Sequence, residues 1–284
     1  GVNNMLDKFN NEQLYGYNTM MSGANCFVSG DAGTGKSSMI NEFIENSRKA
    51  GKNVAVTAPT GIAAINVNGV TLHRLMHLPI NPLVYSPDMI KYTKELLDID
   101  ILIIDEISMC RLDLFDYTMI SVGHANVERK KKGKRAIQII VVGDFFQLPP
   151  VIVDRDRSVL NEHYGYDIGR GFAFQSKYWN MIGFTNIILK QVMRQSDSLF
   201  KNLLSQARVG NTLCIYGITQ NSCKQYIDNA ITILGTNKAV REKNEEELKK
   251  IKSREYVYEA EIDGEVKDSD KMTDDELVLK IGAR

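Results

Sequence analysis

Three groups of residues in this chain have the types and spacing that phosphate chemistry needs. The first is Gly30-Asp31-Ala32-Gly33-Thr34-Gly35-Lys36-Ser37-Ser38, which matches G-x-x-x-x-G-K-[ST] from Gly30 to Ser37. Gly30, Gly33 and Gly35 lack a Cβ, so the backbone can curl through positive φ and aim successive N–H groups inward. With a helix N-terminus behind them, the donors from Ala32 to Ser38 make a cradle for polyphosphate. Lys36 then neutralises the β- and γ-phosphates, and the Ser37 hydroxyl ligates Mg²⁺. The second group is Asp105-Glu106, two carboxylates behind the aliphatic run Ile101-Leu102-Ile103-Ile104. Asp105 is assigned to the metal and Glu106 to the general base that deprotonates the attacking water. The competing assignment is an N-cap pair before Ile107-Ser108-Met109. The third is Gly143-Asp144-Phe145-Phe146-Gln147-Leu148-Pro149-Pro150, where paired prolines stiffen a loop that presents Gln147 to the γ-phosphate.

Strands and helices must hold these groups together. Cys26 to Val28 reads as a buried strand entering the glycine-rich turn, and Met39, Ile40, Phe43 and Ile44 give the following helix one apolar face. Val54 to Ala58, Ile101 to Ile104, Ala136 to Val142 and Phe184 to Leu189 read as further strands. In open α/β sheets, ligands gather at the carboxyl ends of such strands. Pro59-Thr60-Gly61 lies at one of those ends; its spacing fits a phosphate contact and a tight strand-to-helix turn equally well. Before the glycine-rich loop, Asn10 or Asn11 caps a helix running to Met21, and Gln13 on its first turn reads, taken alone, as solvated.

Several segments read as plain structure. His73 and His77 stand four apart on an expected helix, but the Glu of H-E-x-x-H is missing and a zinc site is rejected. Residues 78–94, with three prolines, are an excursion off the core. The basic run Glu128 to Arg135 is expected to be a solvated loop, and residues 152–171 a surface excursion. Beyond Leu189, Leu199 to Arg208 reads as an amphipathic helix, Ala230 to Leu234 as a short strand, Asn237 to about Lys252 as a charged helix and Leu277 to Ile281 as a strand. Arg194, in Gln191-Val192-Met193-Arg194-Gln195, is placed as an arginine finger or as a solvated linker charge.

Composition sets the outer bounds. With 284 residues, 43% hydrophobic and 25% charged, the chain has the make-up of a globular protein. Thirty-five basic residues balance 35 acidic ones, so a nucleic acid would be held by a local groove rather than by global attraction. No apolar run reaches the ~18 residues of a membrane span, and no membrane partner is expected. The four cysteines show no disulfide or C-x-x-C spacing, so buried, reduced thiols are expected.

Taken together and in order, the glycine-rich loop, APTGIAA, TLHRL, DEIS, GDFFQLPPV and VMRQ closely resemble the Pif family of DNA helicases, in superfamily one and related to the RecD helicase. The resemblance implies an α/β fold: a P-loop NTPase with a RecA-like parallel sheet flanked by helices (1–190), plus part of a second RecA-like domain (191–284). Residues 78–94 would be a small, short wedge-like excursion. It implies an ATP-dependent 5′-to-3′ helicase motor that uses ATP and Mg²⁺ on single-stranded DNA and DNA forks, acting as a monomer. By the same match Gln13 reads adenine, Gln147 and Arg194 meet the γ-phosphate, and Thr60, Gly61 and His73 lie under the DNA. The family's later motifs are not found, so the resemblance also implies an N-terminal motor fragment of a longer helicase. The setting it implies is the cytoplasm in bacteria and the nucleus or mitochondrion in eukaryotes. The alternative activity is a nucleotide-dependent switch or DNA-binding module without processive unwinding; Glu106 beside Asp105 favours hydrolysis.

Overall fold

The computed structural model describes residues 9–31, 33–191, 198–222, 230–261 and 275–283. Ala32 and Arg194, both expected in the site, lie outside the described residues, as does Cys223. Two compact units divide between Ser222 and Cys223.

In the first unit, helix α1 (Asn11–Met21) leads into strand β1 (Cys26–Gly30) and helix α2 (Lys36–Lys49). Strand β2 (Val54–Ala58), helix α3 (Gly61–Asn66), strand β3 (Val70–Thr71) and helix α4 (Leu72–Leu75) follow. Next come β4 (Ile101–Ile104), α5 (Leu112–Lys131), β5 (Gln138–Val142), α6 (Asp154–Tyr164), α7 (Lys177–Ile182) and β6 (Thr185–Leu189). Helices α8 (Ser198–Arg208) and α9 (Cys214–Asn221) close the unit. The six strands form one sheet in the order β3-β2-β4-β5-β1-β6. Every pairing in it is parallel, as expected of the RecA-like sheet.

Burial on both faces explains why the central strands are continuous aliphatic runs. Along β4, Ile101 and Ile103 pack with Met20, Met39 and Phe43 of α1 and α2. Leu102 and Ile104 point the other way, into a core built with Leu114, Phe115 and Met119 of α5. The strand period of two thus splits one hydrophobic run between two cores. Gln138 is the polar exception on β5. Its Nε2 donates to the carbonyls of Met20 and Ala24, both at 2.7 Å, and ties the turn after α1 to the sheet.

Several expectations change once the chain is folded. The basic run is a solvated loop only from Lys132 to Arg135, which are exposed; before it α5 continues to Lys131, and Arg129 is 1% exposed. Its guanidinium donates to Leu97 O (2.8 Å), Arg135 O (3.0 Å) and the Asp100 carboxylate (3.0 Å), fastening the end of α5 to the loop before β4. The surface excursion after residue 152 contains α6, anchored by the single buried residue Leu160. His73 and His77 do not share a helix, since α4 ends at Leu75 and His77 has φ 53°, facing Glu95 at 3.3 Å. The segment 78–94 leaves the sheet but is held down, with Leu83 and Ile90 buried. The Leu83 N–H donates to Asp113 (2.8 Å), and the Tyr85 hydroxyl donates to Asp116 (3.0 Å), which also accepts from Tyr164 and Ser176.

The division of the units also falls later than the expected boundary after Lys190. Helices α8 and α9 stay with the first unit. In the second unit, the charged helix α10 (Asn237–Lys250) starts at a Thr236 cap. Strands β7 (Glu255–Glu259) and β8 (Glu276–Lys280) pair antiparallel. Residues 230–234 form no strand; Ile231 and Ile233 are more than nine-tenths exposed and meet no partner strand among the described residues. No described helix is long and apolar enough to cross a membrane.

Candidate nucleotide site

The glycine-rich loop leaves β1 and turns directly into α2. Gly35 sits at φ 82°, in the left-handed region, as the N-cap of α2 without any side-chain cap. The first-turn N–H groups of α2 are thus kept for an anion. The left-handed conformation favours glycine here, and a Cβ would push the Gln13 amide aside. Thr34 is buried and its hydroxyl donates to Asp31 O at 2.8 Å, fixing the curl of the loop. The Lys36 ammonium donates to Gly30 O (2.6 Å) and Asp31 O (2.9 Å). Burial lowers its pKa, with the carboxylates of Asp144 and Glu106 opposing that shift.

Gln13 is not solvated. It is 4% exposed and forms a reciprocal capping box with Asn10: the Gln13 N–H donates to Asn10 Oδ1 and the Asn10 N–H to Gln13 Oε1. Its Nε2 faces Gly35 O at 3.4 Å, so the amide lies against the phosphate loop. Glu12, next to it, accepts from the N–H groups of Lys190 (2.7 Å) and Gln191 (3.1 Å) and closes the end of β6 onto α1.

Opposite the loop stand the two carboxylates. Asp105 Oδ1 accepts from the Glu106 N–H at 2.8 Å. Burial holds the Asp105 carboxyl above its usual range against the pull of that N–H and of Lys36. Glu106 is raised as well, first by burial and then by the negative charge of Asp105. Glu106 sits at φ 50°, ψ 44°, a left-handed conformation uncommon for a residue with a side chain. Its side chain makes no cap bond to the short helix 107–109, which leaves the N-cap assignment without support. Gly143 comes close behind it, where a Cβ would be 2.9 Å from the Ile107 nitrogen.

Lys36, Ser37, Asp105, Glu106, Asp144 and Gln147 all line one cavity of about 280 Å³. The cavity lies where β1, β4 and β5, neighbours in the sheet, end at their carboxyl edge. Its floor is apolar, with Ile40, Ile44, Val56 and Ile103 among the lining residues. Ser38 is exposed on the first turn of α2. Thr60, Gly61 and His73 are elsewhere on the same edge, past the ends of β2 and β3. There Thr60 caps α3 by accepting from the Ala63 N–H at 3.3 Å.

The sequence reading gave no role to Asp144 or to Arg208. Asp144 is 2% exposed and accepts two parallel bonds, both 2.8 Å, from Nε and Nη2 of Arg208. Burial opposes its ionisation, but Arg208 and the Phe146 N–H outweigh it and hold the carboxyl below its usual range. The two residues lie 64 apart in sequence, so no spacing pattern joins them.

Comparison with known proteins fits this geometry. The family described as PIF1-like helicase matches residues 8–212. The chain belongs to the PIF1-like helicase family. The ATP-dependent DNA helicase Pif1 of Campylobacter jejuni is 32% identical over 99% of this chain, which spans 64% of that relative's length. Bacteroides Pif1 in complex with ADP-AlF4 superposes with a TM-score of 0.75 at 31% identity, covering 95% of this chain and 63% of that one. Bacteroides Pif1 bound to single-stranded DNA gives a TM-score of 0.73 at 29% identity over the same shares. A PIF1-like helicase is built on a RecA-like P-loop sheet, the architecture of the first unit.

Proposed function

We propose that this chain is the ATP-hydrolysing motor of a 5′-to-3′ DNA helicase that acts as a monomer on single-stranded DNA and forks. The observation that carries this reading is the convergence of Lys36, Ser37, Asp105, Glu106 and Gln147 on one cavity at the sheet edge. A binding switch needs the phosphate cradle alone; Glu106, across from it, is the group that hydrolysis adds. In the reaction Lys36 exchanges its bonds to the Gly30 and Asp31 carbonyls for phosphate oxygens. Glu106 orients the attacking water and takes its proton, helped by the basicity that burial and Asp105 give it. Gln147 and Arg194 contact the γ-phosphate, and Gln13 reads adenine once its amide leaves Gly35. In a bacterial cell this motor works in the cytoplasm, in a eukaryotic one in the nucleus or mitochondrion.

The residues also suit Mg²⁺. Ser37 and Asp105, both lining the cavity, offer hard oxygen donors. Among the described residues no three His, Cys, Asp or Glu side chains could hold a metal unaided. That fits an ion which takes most of its ligands from phosphates and water. When bound, Mg²⁺ supplies positive charge against the phosphate oxygens.

On the DNA side, Thr60, Gly61 and His73 offer small and polar groups beyond β2 and β3 for a phosphate backbone. The deciding experiment is ATP turnover with and without single-stranded DNA. Strong stimulation is expected; turnover that DNA leaves unchanged would overturn the motor in favour of a switch.

A further inference from the structure

We infer that Arg208 is a charge-exchange latch, whose guanidinium passes from Asp144 and Asp31 to the terminal phosphate of a bound nucleoside triphosphate. The inference rests on the nucleotide reading above and adds a residue that lies outside every phosphate-loop motif. Arg208 is the last residue of α8, and it leans over the loops that follow β1 and β5. Its fork meets both oxygens of Asp144 at 2.8 Å, Nε lies 3.2 Å from Asp31 Oδ1, and the guanidinium covers the Phe146 ring at 4.4 Å. It is also close enough to Lys36 to oppose that residue's positive charge.

Among the described residues the site thus holds two cations, Lys36 and Arg208, amid the carboxylates of Asp31, Asp144, Glu106 and Asp105. A triphosphate chain entering beside Lys36 adds several negative charges, which Asp144 and Asp31 repel. A guanidinium binds phosphate with the same bidentate geometry as carboxylate, so it can change partners without losing its bonds. Asp144 is not orphaned by the exchange, since it keeps the Phe146 N–H (3.1 Å). Asp144 and Gln147 line the cavity together with Glu106, where the terminal phosphate is attacked. A diphosphate held at Lys36 and Ser37 stops short of them.

The latch has a mechanical side. One turn before Arg208, the Ser205 hydroxyl donates to Asp31 Oδ2 at 3.1 Å, so two residues on one face hold α8 to the phosphate loop. Leu203 packs so closely on Gly217 of α9 that a Cβ there would collide with it. Transfer of Arg208 from Asp144 to the phosphate therefore moves one of the two contacts that hold α8, and α9 with it, and makes the pair sensitive to the γ-phosphate.

The test compares the affinity of the full chain for ADP and for a non-hydrolysable ATP analogue by calorimetry, with hydrogen exchange of residues 198–208 as a second readout. Arg208→Ala is expected to lose about ten- to a hundredfold in analogue affinity and less than about twofold in ADP affinity. Arg208→Lys, which keeps the charge without the fork, should recover part of the loss. In the unchanged chain, α8 should exchange differently with the analogue and with ADP. Equal losses for both nucleotides, no loss for either, or identical α8 exchange in the unchanged chain would each overturn the latch alone. Failure of the unchanged chain to bind either nucleotide would overturn the nucleotide reading and the latch with it.

Discussion

In the proposed reaction Lys36 and Glu106 act at different moments, so single substitutions separate them. Lys36 meets phosphate charge in the bound ground state, and Lys36→Ala should weaken nucleotide binding. Glu106→Gln should leave binding intact and lower turnover by roughly 10²–10⁴-fold, the range of a lost general base. Equal loss of binding in the two variants would contradict these roles. The pH dependence follows from the environment of Glu106. Its carboxyl is held above the usual range by burial and by Asp105, and only its ionised form accepts a proton. Turnover at low ATP should therefore fall on the acid side at a higher pH than an exposed glutamate would give, and a pH profile of kcat/KM, which reports the unliganded protein, locates that limb. The left-handed backbone of Glu106 carries strain of order 1 kcal/mol or more, which is usual where geometry serves function. The phosphate loop and the carboxylate pair were legible in the sequence because each is a local pattern next to its own strand. The Asp144–Arg208 pair was not, because its partners come from the loop after β5 and from α8, and only folding brings them together.

At the scale of elements, buried polar anchors do more than propensity. Arg129 looks like one charge in a solvated run, yet it holds two backbone carbonyls and Asp100 beside the start of β4. Arg129→Met should destabilise the first unit by about 3 kcal/mol, mostly from the stranded carbonyls, since Asp100 itself is partly open to solvent. A thermal melt should show a midpoint lower by roughly 6–12 °C. A change inside the error of the melt would mean that water replaces the guanidinium. The sequence hides this anchor because burial of one basic residue in a run depends on where the run ends up, not on its composition. The same limit applies to α6, whose only buried residue is Leu160, leaving no apolar stripe to read. It applies in reverse to residues 230–234, where alternating apolar residues suggest a strand that finds no partner among the described residues.

For the whole molecule, equal numbers of acidic and basic residues predict a particular mode of DNA binding. Affinity should come from a local groove past β2 and β3, fall steeply with added salt and depend little on base sequence. Fluorescence anisotropy of labelled single strands across a salt series checks this, and a salt-insensitive or strongly sequence-selective interaction would contradict it. The order β3-β2-β4-β5-β1-β6 was not readable from the sequence, which gives the strands but not their neighbours. That order has a consequence for synthesis. Strand β1, which carries the phosphate loop, is flanked only by β5 and β6, and its partner residues run from Ile140 to Leu189. A growing chain that has released the loop and α2 from the ribosome still lacks both walls of the strand that aims it. On the proposed function, ATP would therefore not serve as an early template for folding, because the strand that aims the loop is complete only after Leu189 has emerged and paired. Contacts of such long sequence separation are slow to form, so nascent chains should pass through a stage with exposed edges on β1, where chaperones would meet them.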